Sequence, residues 1–219
     1  GLSPGGAADE QAYLWANRLL NNPPNSPALE ICLGGLVLEA QTPCQLALTG
    51  ADLGARHGGR ALDPWHTFNL ETGEQLTFGY PKTGLRAYLA VAGGFNITPS
   101  FGSVASVLRE QLGGLDGRGS PLQEGNFLSC QNAAPGRRRQ VPPRFVPDFG
   151  DTLTLRVIED NLDPALNPEQ QADFYRQSYR IDPQSDRMAT HLTGKPLTPK
   201  TGGIVSEGTS FGSIQLLPE

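Results

Sequence analysis

Apolar residues recur at helical spacing near the start of the chain. Across residues 7–20, Trp15 and Leu19 lie four positions apart on the apolar side of a 3.6-residue repeat, and Asp9 stands where a helix N-cap belongs. The Asn-Asn-Pro-Pro sequence at residues 21–24 ends this pattern, because proline cannot continue a helix. We therefore predict one amphipathic helix over residues 7–20.

Beyond this helix, apolar and polar residues alternate with a period of two, which is typical of half-buried β-strands. Turns that contain Gly, or Pro and Gly, separate the alternating segments. Short strands at intervals of about ten residues favour a barrel or sandwich over a parallel sheet with crossover helices. The predicted strands are residues 29–32, 36–40, 45–49, 75–78 and 86–92.

The pattern changes over residues 93–125, which are rich in glycine. Much of this backbone is expected to need positive φ angles or close approach between chain segments, both of which favour glycine. Within it, the apolar spacing of residues 104–112 predicts a short helix. Residues 131–150 then combine Arg137-Arg138-Arg139 with several prolines, a composition typical of a linker or an exposed crossing.

A second β unit is predicted from the alternation at residues 152–158. A helix is predicted over residues 168–176, and the apolar residues 214–217 predict a final strand that needs a partner. The chain is thus expected to be mainly β with a few short helices. Its predicted parts are a first subdomain at residues 1–130, a linker at 131–150 and a second subdomain at 151–219.

Composition excludes several classes of function. The net charge of −5 and the pI near 5.2 argue against binding to a nucleic-acid backbone, which requires a basic surface. No apolar run approaches the roughly 18 residues of a membrane span, and the first residues lack a basic-then-apolar secretion signal. We expect no membrane partner and a cytoplasmic location.

Cysteine and histidine are too sparse and too poorly spaced to predict a disulfide scaffold or a zinc site. Cys32 and Cys44 lie in apolar, strand-like segments, where a cysteine usually acts as a small buried hydrophobic residue. No bound metal is expected. These residues are Cys32, Cys44, Cys130, His57, His66 and His191.

Small residues precede the first predicted helix in Ser3-Pro4-Gly5-Gly6-Ala7-Ala8-Asp9. Free backbone N–H groups at a helix start can hold an anion or a carboxylate. The alternative is an ordinary helix start capped by Asp9. The chain contains neither a dinucleotide fingerprint nor a phosphate-binding loop, so a partner would have to supply most of any ATP site.

Two short segments near the end combine charges with hydrogen-bonding residues. Asp186 stands beside Arg187, and Ser206 stands beside Glu207 ahead of a glycine. A guanidinium and a carboxylate at fixed positions can orient a small amide or carboxylate. Equally, one salt bridge between them would only stabilise a loop.

Taken together, the ordered segments of this chain resemble the biotin-dependent carboxyltransferase-like family, which includes allophanate hydrolase subunit 2, KipA and PxpC, the C subunit of 5-oxoprolinase. The resemblance extends almost from end to end, and no single segment carries it alone. The matching segments are residues 3–9, 16–20, 28–30, 48–51, 84–94, 101–103, 112–118, 183–188 and 206–208.

This resemblance implies a fold of two cyclophilin-like β-barrel subdomains. It also implies a partner similar to KipI or allophanate hydrolase subunit 1, and a third protein of the LamB/YcsF type. Such complexes are similar to the ATP-dependent 5-oxoprolinase, which opens the small cyclic amide 5-oxoproline to give glutamate. Two alternatives remain: a module that moves a carboxyl group from carboxybiotin to urea, and a non-enzymatic KipA-like regulator that binds a kinase inhibitor.

The resemblance and the residue types together suggest six site residues. Carboxylates are assigned to orienting the substrate or transferring protons, and arginines to binding a carboxylate or a phosphorylated intermediate. The expected catalytic residues are Asp186 and Glu207, and the expected substrate-binding residues are Asp9, Arg118, Arg187 and Ser206.

No cofactor is expected on this chain itself. ATP would be used by the complex. Biotin would have to arrive on another protein, because none of the three lysines, Lys82, Lys195 and Lys200, stands in a Met-Lys-Met-type biotinylation site.

The chain departs from the family pattern at Ala8, where members have Met, at Ala189, where they have Gly, and in three larger features. Family members have an N-terminal strand before Ser3 and a further stretch after the strand that matches residues 214–217. Residues 159–170 also lack the Pro-Gly-Pro-like turn expected there. With Met188 as the only methionine, these departures predict a trimmed chain whose second barrel is incomplete.

Overall fold

The computed structural model describes residues 3, 5–131, 136–150, 152–159, 166–198 and 208–216. The chain forms two compact units, Gly1–Thr152 and Leu153–Glu219. In the described part, two α-helices accompany short antiparallel strands, which confirms the predicted mainly β class. None of the described helices is both long and apolar enough to cross a membrane.

Helix α1 spans Glu10–Leu19 and helix α2 spans Pro168–Arg176, with a short 3₁₀ helix at Pro143–Phe145. The strands are β1 (Leu29–Cys32), β2 (Val37–Glu39), β3 (Cys44–Asp52), β4 (Arg56–His57), β5 (Arg60–Ala61), β6 (His66–Leu70), β7 (Gln75–Thr77), β8 (Thr83–Val91), β9 (Arg180–Ile181) and β10 (Leu192–Thr193).

The first unit contains two four-stranded sheets, in the orders β1-β8-β3-β6 and β2-β7-β4-β5. Every strand pair in them is antiparallel. In the second unit, β9 and β10 form an antiparallel pair. Among the described residues these strands form open sheets, so the expected barrels are not closed there.

The alternation along β3 explains how one sheet serves two hydrophobic cores. Leu46 and Leu48 face the core between the sheets, whereas Ala47, on the opposite side, packs with α1. Ala12 and Ala16 of α1 are fully buried in this second core. Small side chains on both surfaces let the helix lie close to the sheet, so its position is well determined.

Helix α1 begins and ends through specific polar contacts. The Asp9 carboxylate accepts a hydrogen bond from the Ala12 amide at 2.9 Å, as predicted for the N-cap. At the other end, Asn21 adopts a left-handed φ of 56°, which reverses the chain ahead of the two prolines. The predicted helix is thereby confirmed, with ends at Glu10 and Leu19.

Two predicted elements are wrong within the described residues. Residues 104–112 form turns closed by a bridge between Val107 and Leu112 instead of a helix, because the surrounding glycines favour tight left-handed turns. Residues 152–158 form no strand, and Leu153 and Leu155 are 80% and 75% exposed. An alternating pattern becomes a strand only beside a partner strand, and no described strand pairs with this segment.

The strand predicted at residues 214–217 and the predicted burial of Cys32 and Cys44 are only partly matched by the structure. Described residues 214–216 also lack strand structure, and residue 217 lies outside the described part. Cys32 is exposed, contrary to expectation, because it stands at the end of β1 and outside both hydrophobic cores. Cys44 is half-buried against the core, and burial raises the pKa of its thiol to about 11.

The described part of the Pro- and Arg-rich segment packs on the first unit. Val141 is buried, and its amide donates a hydrogen bond to the Trp65 carbonyl at 2.9 Å. The Arg139 amide donates to the Thr67 hydroxyl at 2.8 Å, and the Phe145 and Trp15 rings lie 5.7 Å apart. Residues 136–150 therefore contribute to the second core of this unit.

Candidate functional site

A polar cluster lies on the sheet beneath the start of α1. In the register of β1 and β8, Glu30 is directly opposite Tyr88, and Cys32 is opposite Arg86. Residues two apart on a strand share a face, so Glu30, Arg86 and Tyr88 lie on the same side of the sheet. We call these three residues the Glu30 cluster.

Hydrogen bonds join the Glu30 cluster to the residues that precede α1. One Glu30 carboxylate oxygen accepts from the Tyr88 hydroxyl at 2.8 Å and from the Ala8 amide at 3.0 Å. The other lies 3.4 Å from Nε of Arg86. The Tyr88 oxygen in turn accepts from the Asp9 amide at 2.7 Å. The backbone before the helix is therefore held directly against the sheet.

The surroundings keep the Tyr88 phenol protonated. Tyr88 is 1% exposed, and its burial raises the pKa of the hydroxyl well above its usual range, with a smaller contribution from the Glu30 carboxylate. At neutral pH this group acts as a hydrogen-bond donor and not as a base. Glu30 and Arg86 retain 21% and 25% exposure of their side chains, so solvent reaches this charge pair.

Glycine-rich loops pack against the segment that leads into the same cluster. The Ser3 hydroxyl donates to a Glu110 carboxylate oxygen at 2.6 Å, and this contact lowers the pKa of the Glu110 carboxyl. A Cβ atom on Gly5 would lie 2.3 Å from Cγ2 of Val107, so a larger residue there would have to displace the Val107 side chain. Ser3 and residues 5–9 thus meet residues 105–110 beside the start of α1.

The other oxygen of Glu110 has no hydrogen-bond partner among the described residues, although it is buried. A buried carboxylate oxygen without a partner can accept an N–H or O–H group of a bound molecule. This oxygen and the Glu30 cluster are polar groups next to the start of α1 that are not used by the helix itself.

Two of the predicted site residues lie in the first unit. The Asp9 side chain caps α1, and its backbone amide contacts the Glu30 cluster. Arg118 is exposed in a turn, where its amide donates to the Asp116 carboxylate at 2.8 Å. Hydrogen bonds from Ser120 and Arg118 lower the pKa of Asp116, which stabilises this turn in the ionised form.

Asp186 and Arg187 lie together in an exposed turn of the second unit. The Asp186 carboxylate accepts hydrogen bonds from the amides of Met188, at 2.7 Å, and Ala189, at 3.0 Å. These contacts show a structural use of the carboxylate within its own turn. Ser206 and Glu207 lie outside the described residues.

The sequence reasoning did not identify Glu30, Arg86 and Tyr88 as site residues. A signal was present, because Glu30 and Arg86 are charged residues within apolar strands. Recognising them as a cluster requires the register between β1 and β8, which joins residues 58 positions apart in sequence. Only the folded sheet supplies this information.

Metal-ligating side chains do not cluster in the described part of the chain, and two of its lysines form ion pairs. No group of three His, Cys, Asp or Glu residues within the described ranges could hold a metal ion. Nζ of Lys82 lies 3.2 Å from Asp52, and Nζ of Lys195 lies 2.6 Å from Asp173. Both lysines therefore take part in ion pairs at the surface, with 61% and 69% of their side chains exposed.

The comparison with protein families covers the whole chain. Residues 1–219 match the family described as "Carboxyltransferase domain, subdomain A and B". This chain belongs to that carboxyltransferase-domain family. The membership confirms the resemblance inferred from the ordered sequence segments.

Individual relatives in the carboxyltransferase-domain family carry two kinds of name. The chain is 33% identical to the C subunit of 5-oxoprolinase from Escherichia coli, over 99% of this chain and 68% of that protein. It is 31% identical to an Emericella nidulans protein provisionally named a urea carboxylase, over 98% of this chain but only 18% of that protein.

A solved structure shares the fold. The crystal structure of the protein TTHA0988 superposes with a TM-score of 0.80 at 30% identity. The match covers 98% of this chain and 41% of that one, so the chain spans less than half the length of its structural relative.

Proposed function

We propose that this chain is a subunit of an ATP-dependent 5-oxoprolinase, which hydrolyses the cyclic amide of 5-oxoproline to give glutamate. The observation that carries the proposal is the 33% identity to the Escherichia coli 5-oxoprolinase protein, which extends over 99% of this chain. An amide is a weak electrophile, so its opening needs activation and precise positioning of the substrate. ATP hydrolysis by the complex provides the driving force in this proposal.

The proposed complex contains two further proteins, one similar to KipI or allophanate hydrolase subunit 1 and one of the LamB/YcsF type, and it operates in the cytoplasm. This chain carries no resident cofactor in the proposal. The sequence contains no phosphate-binding loop, so the partners supply most of the ATP site.

Within this reaction, Asp186 and Glu207 orient the substrate or transfer protons. Asp9, Arg118, Arg187 and Ser206 bind the substrate, the arginines through charge-assisted hydrogen bonds to its carboxylate. In the first unit, the Glu30 cluster acts as a positioning group for Asp9, because it holds the backbone of Ala8 and Asp9.

Reconstitution tests the proposal directly. The full-length protein is mixed with its KipI-like and LamB/YcsF-like partners, and glutamate formation from 5-oxoproline is measured together with ATP hydrolysis. Each component is then omitted in turn. We expect coupled turnover that disappears when this chain is left out; turnover that persists without it would refute the proposal.

Substitutions in the second unit test the assigned roles. Arg187→Ala is expected to reduce activity at least tenfold, whereas Arg180→Ala, on exposed β9, leaves activity unchanged. Asp186→Asn separates structure from chemistry, because its side-chain oxygen can still accept from Met188 and Ala189. Full activity of Asp186→Asn would assign this residue to the turn alone.

A second candidate is transfer of a carboxyl group from carboxybiotin to urea. The 31% identity to the Emericella nidulans relative favours it. Biotin would then be carried by another protein, since the sequence has no Met-Lys-Met-type biotinylation site. Urea-dependent loss of carboxyl groups from carboxybiotin, without ATP-coupled glutamate formation, would support this candidate. A stable complex without either turnover would favour the KipA-like regulatory role.

A further inference from the structure

A cleft of about 440 Å³ lies in the first unit at the opposite end of α1 from the Glu30 cluster. The end of α1, the start of β3 and residues 136–139 surround it. This volume is in the range of small-molecule sites. Its lining residues are Leu19, Leu20, Asn21, Asn22, Pro23, Ser26, Gln45, Ala92, Gly93, Gln131, Gly136, Arg137 and Arg139.

The charge of this cleft is opposite to that of the protein. The chain has a net charge of −5, yet the described lining contains Arg137 and Arg139 and no acidic residue. Amide side chains of Asn and Gln supply most of the other polar groups. A concave surface lined by one sign of charge attracts ligands of the opposite sign, so the cleft favours an anion.

Hydrogen bonds hold the walls of the cleft in place. The Gln45 side chain is buried, donates to the Gly136 carbonyl at 2.9 Å and accepts from the Gly136 amide at 3.0 Å. The Asn22 amide group donates to the Val91 carbonyl at 2.8 Å and accepts from the Gly93 amide at 2.9 Å. Walls fixed in this way lower the entropy cost of binding a ligand.

The two arginines differ in the hydrogen bonds that they already make within the protein. One terminal nitrogen of Arg139 donates to the Leu19 carbonyl at 3.4 Å and to the Asn21 side-chain oxygen. A guanidinium carries five N–H donors, so others remain for a ligand. The exposed Arg137 guanidinium has neither a hydrogen-bond nor an ion-pair partner within the described part of the chain.

We propose that this cleft is a binding site for a small molecule with an oxyanion group, either a carboxylate or a phosphate. Arg137 is the principal contact, and the prearranged Arg139 is the second. A planar guanidinium matches both types of oxyanion through paired hydrogen bonds. The proposal stands apart from the oxoprolinase assignment, because binding is measured on this chain alone without turnover.

Calorimetric titration of the full chain tests the site, with 5-oxoproline and glutamate as carboxylate probes and inorganic phosphate as the phosphate probe. We expect saturable binding of at least one probe, and the probe that binds identifies the source of the oxyanion. Arg137→Ala should weaken this binding at least tenfold, since it removes a charge-assisted hydrogen bond. Arg137→Lys should recover part of the loss, because it restores the charge without the paired geometry.

Arg138→Ala is the matched control. It removes the same charge from an adjacent exposed position that does not line the cleft, so binding should stay within about twofold of the wild type. Equal losses in Arg137→Ala and Arg138→Ala would overturn the proposal, because they would indicate general charge attraction. If none of the three probes bound saturably, the proposal would also be overturned. A circular dichroism spectrum confirms that each variant remains folded.

Discussion

The Tyr88 hydroxyl links the sheet to the backbone before α1, donating to Glu30 and accepting from the Asp9 amide. Tyr88→Phe removes both hydrogen bonds from a residue that is 1% exposed. We expect the free energy of unfolding to fall by about 1–3 kcal/mol, because the substitution removes two hydrogen bonds made by a buried hydroxyl. Urea denaturation measures this loss.

Tyr13→Phe provides the comparison for Tyr88→Phe. The Tyr13 hydroxyl donates to the Ser26 carbonyl at 2.9 Å, and that carbonyl also accepts from Asn17 at 3.0 Å. The carbonyl therefore keeps a partner, and the loss should be smaller than for Tyr88→Phe. Equal losses in the two variants would contradict the linking role of Tyr88.

Gly113 meets two separate requirements. Its φ is 72°, and a Cβ atom would lie 2.0 Å from the Ala105 carbonyl oxygen. Gly117 has the same φ of 72° but nothing within 4 Å of a Cβ. Gly117→Ala should therefore cost only about 1 kcal/mol for the left-handed backbone, while Gly113→Ala should cost clearly more. If Gly113→Ala and Gly117→Ala had the same urea midpoint, the loop would have to relax around the methyl group added at Gly113.

The sequence does not show which single glycines, such as Gly113, are required by a close contact in the fold. The abundance of glycine over residues 93–125 correctly indicated positive φ angles. It could not distinguish Gly113 from Gly117, because the Ala105 carbonyl belongs to another part of the loop. The difference depends on a tertiary contact.

At the scale of elements, two substitutions at the start of α1 can separate the helix-capping role of Asp9 from its proposed role in substrate binding. Asp9→Ala removes the hydrogen bond to the Ala12 amide and should lower stability by about 1 kcal/mol. Asp9→Asn retains an acceptor for that amide and should leave the stability near the wild-type value. Unfolding curves in urea for both variants measure the cap.

The same pair of variants tests the proposed substrate role of Asp9. Asp9→Asn removes the charge while it preserves the helix, so loss of activity in the reconstituted complex would indicate a role beyond capping. Full activity of Asp9→Asn would limit Asp9 to the cap.

The turn between β6 and β7 should show a pH-dependent contribution to stability. Hydrogen bonds from the Glu71 amide and from His57, each 2.8 Å long, lower the pKa of the Glu74 carboxyl. A lowered folded pKa stabilises the protein above the unfolded value of about 4.3, and this stabilisation is lost as the pH falls through the folded pKa. The wild type should therefore lose stability more steeply than Glu74→Gln between about pH 5 and pH 3.

Urea midpoints measured at several pH values in that window compare the two proteins. The other carboxylates are common to both, so the difference between the curves isolates Glu74. Parallel curves would mean that the contacts seen at Glu74 do not favour its ionised form.

Element types followed from sequence where the signals were local. α2 spans Pro168–Arg176 as predicted, because Asn167 caps it and Pro168 occupies the first turn. The strand predicted at residues 152–158 lacks a described partner. A helix satisfies its own backbone hydrogen bonds, whereas a strand depends on a neighbour, so strand predictions are the less secure.

At the scale of the molecule, the first unit contains its own hydrophobic cores. Both cores are built from residues at or before Phe149. A fragment of residues 1–152 should therefore unfold in a single cooperative transition in urea. A fragment of residues 1–130 lacks Val141, Val146 and Phe149 of the second core, and it should be markedly less stable.

The two fragments together test where the first unit ends. Loss of the cooperative transition in residues 1–152 would show that the first unit depends on the rest of the chain. Equal stability of both fragments would show that residues 136–150 contribute little, in keeping with the linker expected from their composition.

By itself, the sequence determined the mainly β class, both helices and the family, because periodicity, caps and ordered segments are readable along the chain. Tertiary structure alone decided that Glu30 lies opposite Tyr88, that Gly113 approaches Ala105, and that a basic cleft forms beside the end of α1. The physical reason is the range of the interactions. Helix signals act within a few residues, whereas strand register and loop packing join distant segments, and a shift by one residue would turn Glu30 to the other face.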